Sequence, residues 1–257
     1  MKKLFAILGL LFCVATALAS QGIGGKAGIG GAGGIGGGFT VSGFTLVNTG
    51  TGAVQATSTT IADSATSLTA GNVAVVIAFA NDGGGGSGNH VTGISDTAGN
   101  TYVLCKATDA LAVTEIWSNT TTLGNASNIT TVTFNATMTA RMVIVHQYSG
   151  VLTGSGCDKN ATAAVTATTV TSGAFIPAAS GNLNVAIGTE DAISGGVWTA
   201  GSNYTLRQNL SVGGFGGDIE SEDRQLGVPS GSQTATISFP GASGTHMQIV
   251  VGSWKHP

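Results

Sequence analysis

The run GNVAVVIAF, Gly71–Phe79, decides the fold, and its opening returns as GNLNVAI at Gly181–Ile187. Each apolar core is too short for a stable helix and rich in β-branched residues. A short continuous apolar run behind a Gly-Asn turn signal predicts a strand buried on both faces. Working outward, Thr101–Leu104, Thr130–Phe134 and Met142–Tyr148 read the same way, and almost nothing has helical period. The predicted fold class is all-β, built from antiparallel β-sandwiches.

The order of landmarks repeats. Asn100-Thr101-Tyr102 answers to Asn203-Tyr204, Val132–Phe134 to Ile237–Phe239, and MVIVHQYSG (Met142–Gly150) to MQIVVGSW (Met247–Trp254). Val73 and Leu183 stand 110 positions apart, Tyr102 and Tyr204 102, and the spacing is near the size of one sandwich domain. Two tandem sandwiches are expected, over 40–155 and 156–257. The alternative is one large two-sheet jelly roll drawing on both halves.

Residues 1–19 have the layout of an export signal: Lys2 and Lys3, an apolar run, then Ala17-Leu18-Ala19 as a small-x-small cleavage site. Residues 20–39 form a glycine-rich segment, GIGGKAGIGGAGGIGGGF over Gly22–Phe39, in which Ile23, Ile29 and Ile35 recur every six positions. Extended backbone puts these three on one side. The segment is expected to serve as a tether, with docking of the isoleucine stripe as the second reading. No apolar run beyond the signal is long enough to span a membrane as a helix. Lys+Arg number 9 against 12 Asp+Glu, a net −3, and without Lys2 and Lys3 the count is seven against twelve, a net −5. That sign, and the lack of a basic run, exclude a nucleic-acid partner.

The whole pattern resembles tandem immunoglobulin-like or jelly-roll sandwiches of secreted bacterial surface proteins that carry a GIGGxx-type segment after the signal. The likeness lies in Gly22–Gly38, in SDTAGNTY (Ser95–Tyr102) and in HQYSG (His146–Gly150). It implies a secreted or surface-held protein. It transfers no catalytic residue.

Motifs with chemistry are few. Gly28–Gly33 matches GxGxxG, but it lies beside the cleavage site and not between a strand and a helix, so it is no dinucleotide fingerprint. Cys105 and Cys157 are the two cysteines left after export, and an oxidising compartment allows them to pair or to stay separate thiols. In GGDIESEDRQ, the residues Asp218, Glu220, Glu222 and Arg224 are spaced by two, so on a strand they share a face. Such a row fits a solvated strand whose charges discourage edge pairing, a Ca²⁺ site of oxygen ligands, or a glycosidase carboxylate pair. Loops after the long apolar strands hold Asp82 in one half and Glu190 and Asp191 in the other, further candidates for a cation or a sugar hydroxyl network. Trp117 and Trp198 are candidates for stacking on a sugar ring. Tyr102 and Tyr204 are expected to be structural, with the hydroxyl tied to backbone.

The function expected from these features is that of a secreted, non-enzymatic surface or matrix protein, an adhesion or carbohydrate-binding module whose partner is a glycan or another cell-surface component. Two further readings stay open. One is a self-assembling extracellular structural subunit, and the other a glycan hydrolase using Asp218, Glu220 and Glu222.

Overall fold

The computed structural model describes residues 43–257 except 82–87, 109, 111, 191–196, 213–216, 226–229 and 241–245. The expected signal and the glycine-rich segment lie outside the described residues. Every regular element among the described residues is a strand, and the chain is an antiparallel β-sandwich protein, not a barrel.

The first half runs through β1 (Thr45–Ala62), β2 (Thr66–Leu68), β3 (Val73–Asn81), β4 (Val91–Asp96), β5 (Val103–Thr108), β6 (Val113–Ser118), β7 (Asn125–Asn128) and β8 (Thr130–Ser149). The second runs through β9 (Lys159–Thr166), β10 (Thr169–Thr171), β11 (Leu183–Glu190), β12 (Thr205–Ser211), β13 (Asp218–Arg224), β14 (Thr236–Ser238) and β15 (His246–Trp254). The main sheet of the first half has the order β1-β8-β3-β6-β5, with β4 also paired to β8. That of the second has the order β12-β13-β11-β15-β9. Matched through the repeated landmarks, these are one topology: β1, β8, β3, β6 and β5 correspond to β9, β15, β11, β13 and β12. The small pairs correspond as well, β2 with β7 and β10 with β14. Gly71 and Gly181 enter β3 and β11 from the same left-handed turn, at φ 84° and 82°, which glycine adopts without a steric penalty.

Strand β3 shows why a continuous apolar run is needed at the centre. Val73, Val75, Ile77 and Phe79 face one apolar cluster, and Ala74, Val76, Ala78 and Ala80 face another. In β11, Leu183, Val185 and Ile187 take the first role and Ala186 the second. Each half therefore has a cluster of its own on the outer face of its sheet. In the first half it is completed by Ile61, Val91, Val132 and Phe134. Strands β1 and β8, 18 and 20 residues long, reach it past register breaks at Gln55/Ser58 and Ser58/Thr60. In the second half Val170, Trp198, Ile237 and Phe239 complete it.

The largest cluster belongs to both halves. Val75, Ile77, Met142, Ile144 and Tyr148 of one sheet meet Leu183, Val185, Ile187, Ile219, Val250 and Trp254 of the other. Each half thus has an outer core, and the two main sheets pack face to face over a common one. In this packing β8 lies over β13 and β5 beside β9, so equivalent strands take opposite ends of the stack. The connection between the halves is tied to both, since Gly154 N–H donates to Thr120 O at 2.8 Å and Leu152 N–H to Lys255 O at 2.8 Å.

Polar pairs cross the shared core at fixed places. Tyr148 donates its hydroxyl to Asp223 Oδ2 at 2.9 Å, and Trp254 Nε1 donates to Ser118 Oγ at 3.1 Å. The His146 ring sits between Thr49 Oγ1 and Ser221 Oγ, at 2.8 Å from each. Asp223 is neutralised by Arg207 at 2.8 Å. Burying such groups is tolerable only because each finds a partner. At the β5/β9 side Cys105 and Cys157 form a disulfide with Cα atoms 5.4 Å apart, closing a separation of 52 residues. A loop of that length contributes about 4 kcal/mol in the chain-entropy account.

Gly188 of β11 is a close-approach position. A Cβ there would lie 2.8 Å and 2.9 Å from side-chain atoms of Ile237 and 3.2 Å from Trp198, whereas one on Gly93 of β4 would meet nothing within 4 Å. Denaturant unfolding is expected to show Gly188→Ala destabilised by about 1–3 kcal/mol, with Gly93→Ala within about 0.5 kcal/mol of the parent. Equal effects at the two sites would contradict the packing of Trp198 and Ile237 on β11.

Candidate functional site

The row Asp218, Glu220, Glu222 and Arg224 does alternate along one face of β13, with Ile219, Ser221 and Asp223 turned to the shared core. Its setting differs from the solvated strand expected. β13 lies inside its sheet, between β12 and β11. Asp218, Glu220 and Glu222 are each at most 1% exposed, covered by the outer layer that Trp198, Ile237 and Phe239 help to build. They neither guard an edge nor open onto a cleft. Side chains that succeed one another along a strand also do not converge on a point. Among the described residues no three His, Cys, Asp or Glu side chains are arranged to hold a metal ion.

Glu220 occupies the position that Glu115 holds in the first half, opposite Gly188 as Glu115 is opposite Ala78. The two are treated differently. Glu115 accepts Val91 N–H at 2.8 Å and Trp117 Nε1–H at 2.6 Å. Among the described residues neither oxygen of Glu220 has a hydrogen-bond partner. Burial, and then the neighbouring Glu222, push its carboxyl well above the ordinary range. Glu222 is pushed up to about 8 by burial, against the stabilising Gly201 N–H that its Oε2 accepts at 2.7 Å. Glu222 therefore holds its proton at neutral pH, and Glu220 is shifted in the same direction.

The bond from Gly201 to Glu222 anchors a turn, and the turn builds a pocket. Tyr204 N–H donates back to Gly201 O at 3.0 Å, and Asn203 has φ 69°, a left-handed conformation that asparagine tolerates better than most residues. With β13 and the start of β14 this turn encloses about 250 Å³, lined by Ser202, Asn203, Tyr204, Arg224, Ser232, Gln233, Thr234 and Thr236. All eight side chains carry hydrogen-bonding groups. Among the described lining residues Tyr204 is the one aromatic and Arg224 the one charge. In the first half the corresponding turn is closed on itself. Asp96 accepts from Asn100 N–H at 2.8 Å, Asn100 Nδ2 at 2.7 Å and the Tyr102 hydroxyl at 2.8 Å. This clamp explains SDTAGNTY, and it ties the Tyr102 hydroxyl to a carboxylate, not to backbone as expected. Tyr204 likewise bonds a side chain, accepting from Asn184 Nδ2 at 3.4 Å.

The remaining candidates are scattered. Asp82 and Asp191 lie outside the described residues. Glu190 ends β11, buried and in register with Asp218. Trp198 is buried with its ring 4.7 Å from Phe239, and Trp117 is half-buried with its Nε1–H given to Glu115. Trp198 therefore offers no open face for a sugar ring. The sequence reading named Arg224 only as a member of the charged row, and it passed over Gln233 and Thr236. The signal available was the Asn203-Tyr204 turn, read there only as a mark of the repeat. No protein-family model, no curated protein and no solved structure matches the chain.

The buried carboxyls fix a pH dependence. Glu222 binds its proton in the folded chain up to about pH 8 but in the unfolded chain only to its ordinary 4.5. Stability is therefore greatest below 4.5 and falls as pH rises through that window, with Glu220 acting in the same direction. His146 acts oppositely, because burial and then Arg207 push it down to about 3, so its share is lost as pH falls below its ordinary 6.5. Between pH 6.5 and 8 the Glu222 effect stands unopposed by His146. Denaturation across this interval should show stability declining, with a shallower slope in Glu222→Gln. An unchanged slope in the variant would overturn the assignment.

Proposed function

We propose that the chain is an exported, non-enzymatic β-sandwich protein that binds carbohydrate at a cell surface or in an extracellular matrix. The pocket under the Ser202–Tyr204 turn is its binding site. The observation that carries this reading is the lining itself, an aromatic ring and seven other side chains with donors or acceptors around a small open volume. Sugars are recognised by such convergent polar groups beside a ring, and a rigid sheet holds the groups in place. A hydrolase reading has less support, because Asp218, Glu220 and Glu222 lie under the outer layer and burial pushes the carboxyls of Glu220 and Glu222 above the ordinary range. A structural, self-assembling role keeps one supporting observation. Edge strand β1 runs for 18 residues without a charge or a proline, devices that commonly protect sheet edges.

Incubating the exported chain with insoluble polysaccharides and purified cell walls, then measuring protein left in solution, separates these readings. Selective depletion is expected, and Thr234→Trp, which fills the pocket rim, should abolish it. Equal depletion of parent and variant would remove the pocket from the account. Concentration-dependent self-association with no depletion would transfer the weight to the structural role.

A further inference from the structure

The turn that walls the pocket rests on a buried acid. Glu222 lies on β13, which is held between β12 and β11 by register on both sides. Its Oε2 accepts Gly201 N–H at 2.7 Å, and among the described residues its Oε1 has no hydrogen-bond partner. The chain is fixed just before the turn, where Thr199 and Ser238 exchange backbone bonds at 2.8 and 3.1 Å, and again at Thr205, where β12 starts. Between these anchors Ser202 and Asn203 are exposed. The charged and titratable groups around Glu222 are few. On its own face of β13 are Glu220, which is buried, and Arg224, whose Nη1 meets Gln233 Oε1 at 3.3 Å. Asp223 points the other way and is neutralised by Arg207 of β12 at 2.8 Å. The turn brings Tyr204, whose hydroxyl accepts from Asn184 Nδ2 at 3.4 Å. Opposite Glu222 stand Leu206 of β12 and Ala186 of β11, and β14 carries no titratable residue. Glu190 and Asp218 stand in register at the far end of the face.

We infer that Glu222 is a proton-controlled latch on the pocket: as a neutral acid it holds the Ser202–Tyr204 wall against the sheet, and its ionisation releases that wall so that water can reach the carboxylate. The latch rests for its meaning on the carbohydrate-binding reading above, since the wall that moves belongs to the proposed site. Burial raises Glu222 to about 8 even though the Gly201 bond acts the other way, so one amide does not replace the water that an ionised carboxylate loses. Backbone ladders to β11 and β12 close its flanks. The turn is tied by the Glu222 bond itself and by Tyr204 N–H on Gly201 O at 3.0 Å. Linkage gives the sign and the size. With the wall down the acid ionises near pH 8, and with the wall lifted near its ordinary 4.5. The lifted state therefore gains population by about tenfold per pH unit between these values and levels off above the higher one. The site is best closed in mildly acid medium and loosens as the pH approaches 8.

Amide hydrogen exchange of the full chain, read residue by residue from about pH 6.5 to 8 with and without low urea, tests the latch in the absence of any ligand. The Gly201 and Tyr204 amides should exchange faster than those of Thr199 and Ser238 and independently of urea, as a local opening does. Their protection, corrected for base catalysis, should fall about tenfold per pH unit in the lower part of that range. Glu222→Gln keeps an acceptor for Gly201 N–H but has no proton to lose, so protection of its turn should not change with pH. If that variant does not fold, the contrast between turn and anchors in the parent decides by itself. Turn protection that does not vary with pH, or opening of all four amides together with one urea dependence, would overturn the latch. Because no sugar is present, that outcome would leave carbohydrate binding standing, and failure of the polysaccharide depletion experiment would leave the exchange result intact.

Discussion

Face-to-face burial of the two main sheets is the constraint on which the other features rest. Neither sheet is amphipathic in the usual sense. β3 and β8 bury both faces, and so do β11 and β15. A half that folded alone would cover its outer cluster but expose Val75, Ile77, Ile144 and Tyr148, or Leu183, Val185, Ile187 and Trp254, to water. At about 25 cal/mol per Å² of apolar surface, that face is too costly to leave bare. The repeat therefore produces two copies of one topology that complete each other, much as an isologous dimer does within a single chain.

Apolar packing alone leaves the relative position of two flat sheets weakly specified, and the buried polar pairs remove that freedom. Thr114 meets Thr189 at 3.0 Å, His146 meets Ser221, and Tyr148 meets Asp223, each pairing an element of one half with one of the other. A sliding shift would leave these groups unpartnered in a dry interior, so the cost of misalignment is paid in desolvated hydrogen-bonding groups. The copies have diverged on their outer faces. Where the first half clamps its turn with Asp96 and satisfies Glu115, the second builds its turn beside Arg224 and raises the carboxyls of Glu220 and Glu222.

Much of the architecture was legible in the sequence because it follows local rules. The Gly-Asn entries, the double-sided apolar runs and the period-two row on β13 each depend on a few adjacent residues, and the strands formed where those patterns lie. Burial of the carboxylate row was not legible, since three acids on a strand ordinarily mark a solvated face. Their cover comes from Trp198, Ile237 and Phe239, segments on either side of β13 in the chain. His146 illustrates the same limit. By topology its counterpart is Gly252, opposite Val185 as His146 is opposite Val75, and not His246, which its place in the sequence suggests. Its partner Ser221 lies 75 residues away. The pocket joins residues from a turn, the end of β13 and the segment leading into β14, and only the packing of the small β10-β14 pair on the main sheet brings Ser202, Arg224 and Gln233 together.

Differential scanning calorimetry of the full chain tests the shared core most directly. One transition, with the calorimetric enthalpy equal to the van't Hoff enthalpy, is predicted, because the sheets cannot lose their common core separately. Two resolved transitions, one for each half, would contradict the account.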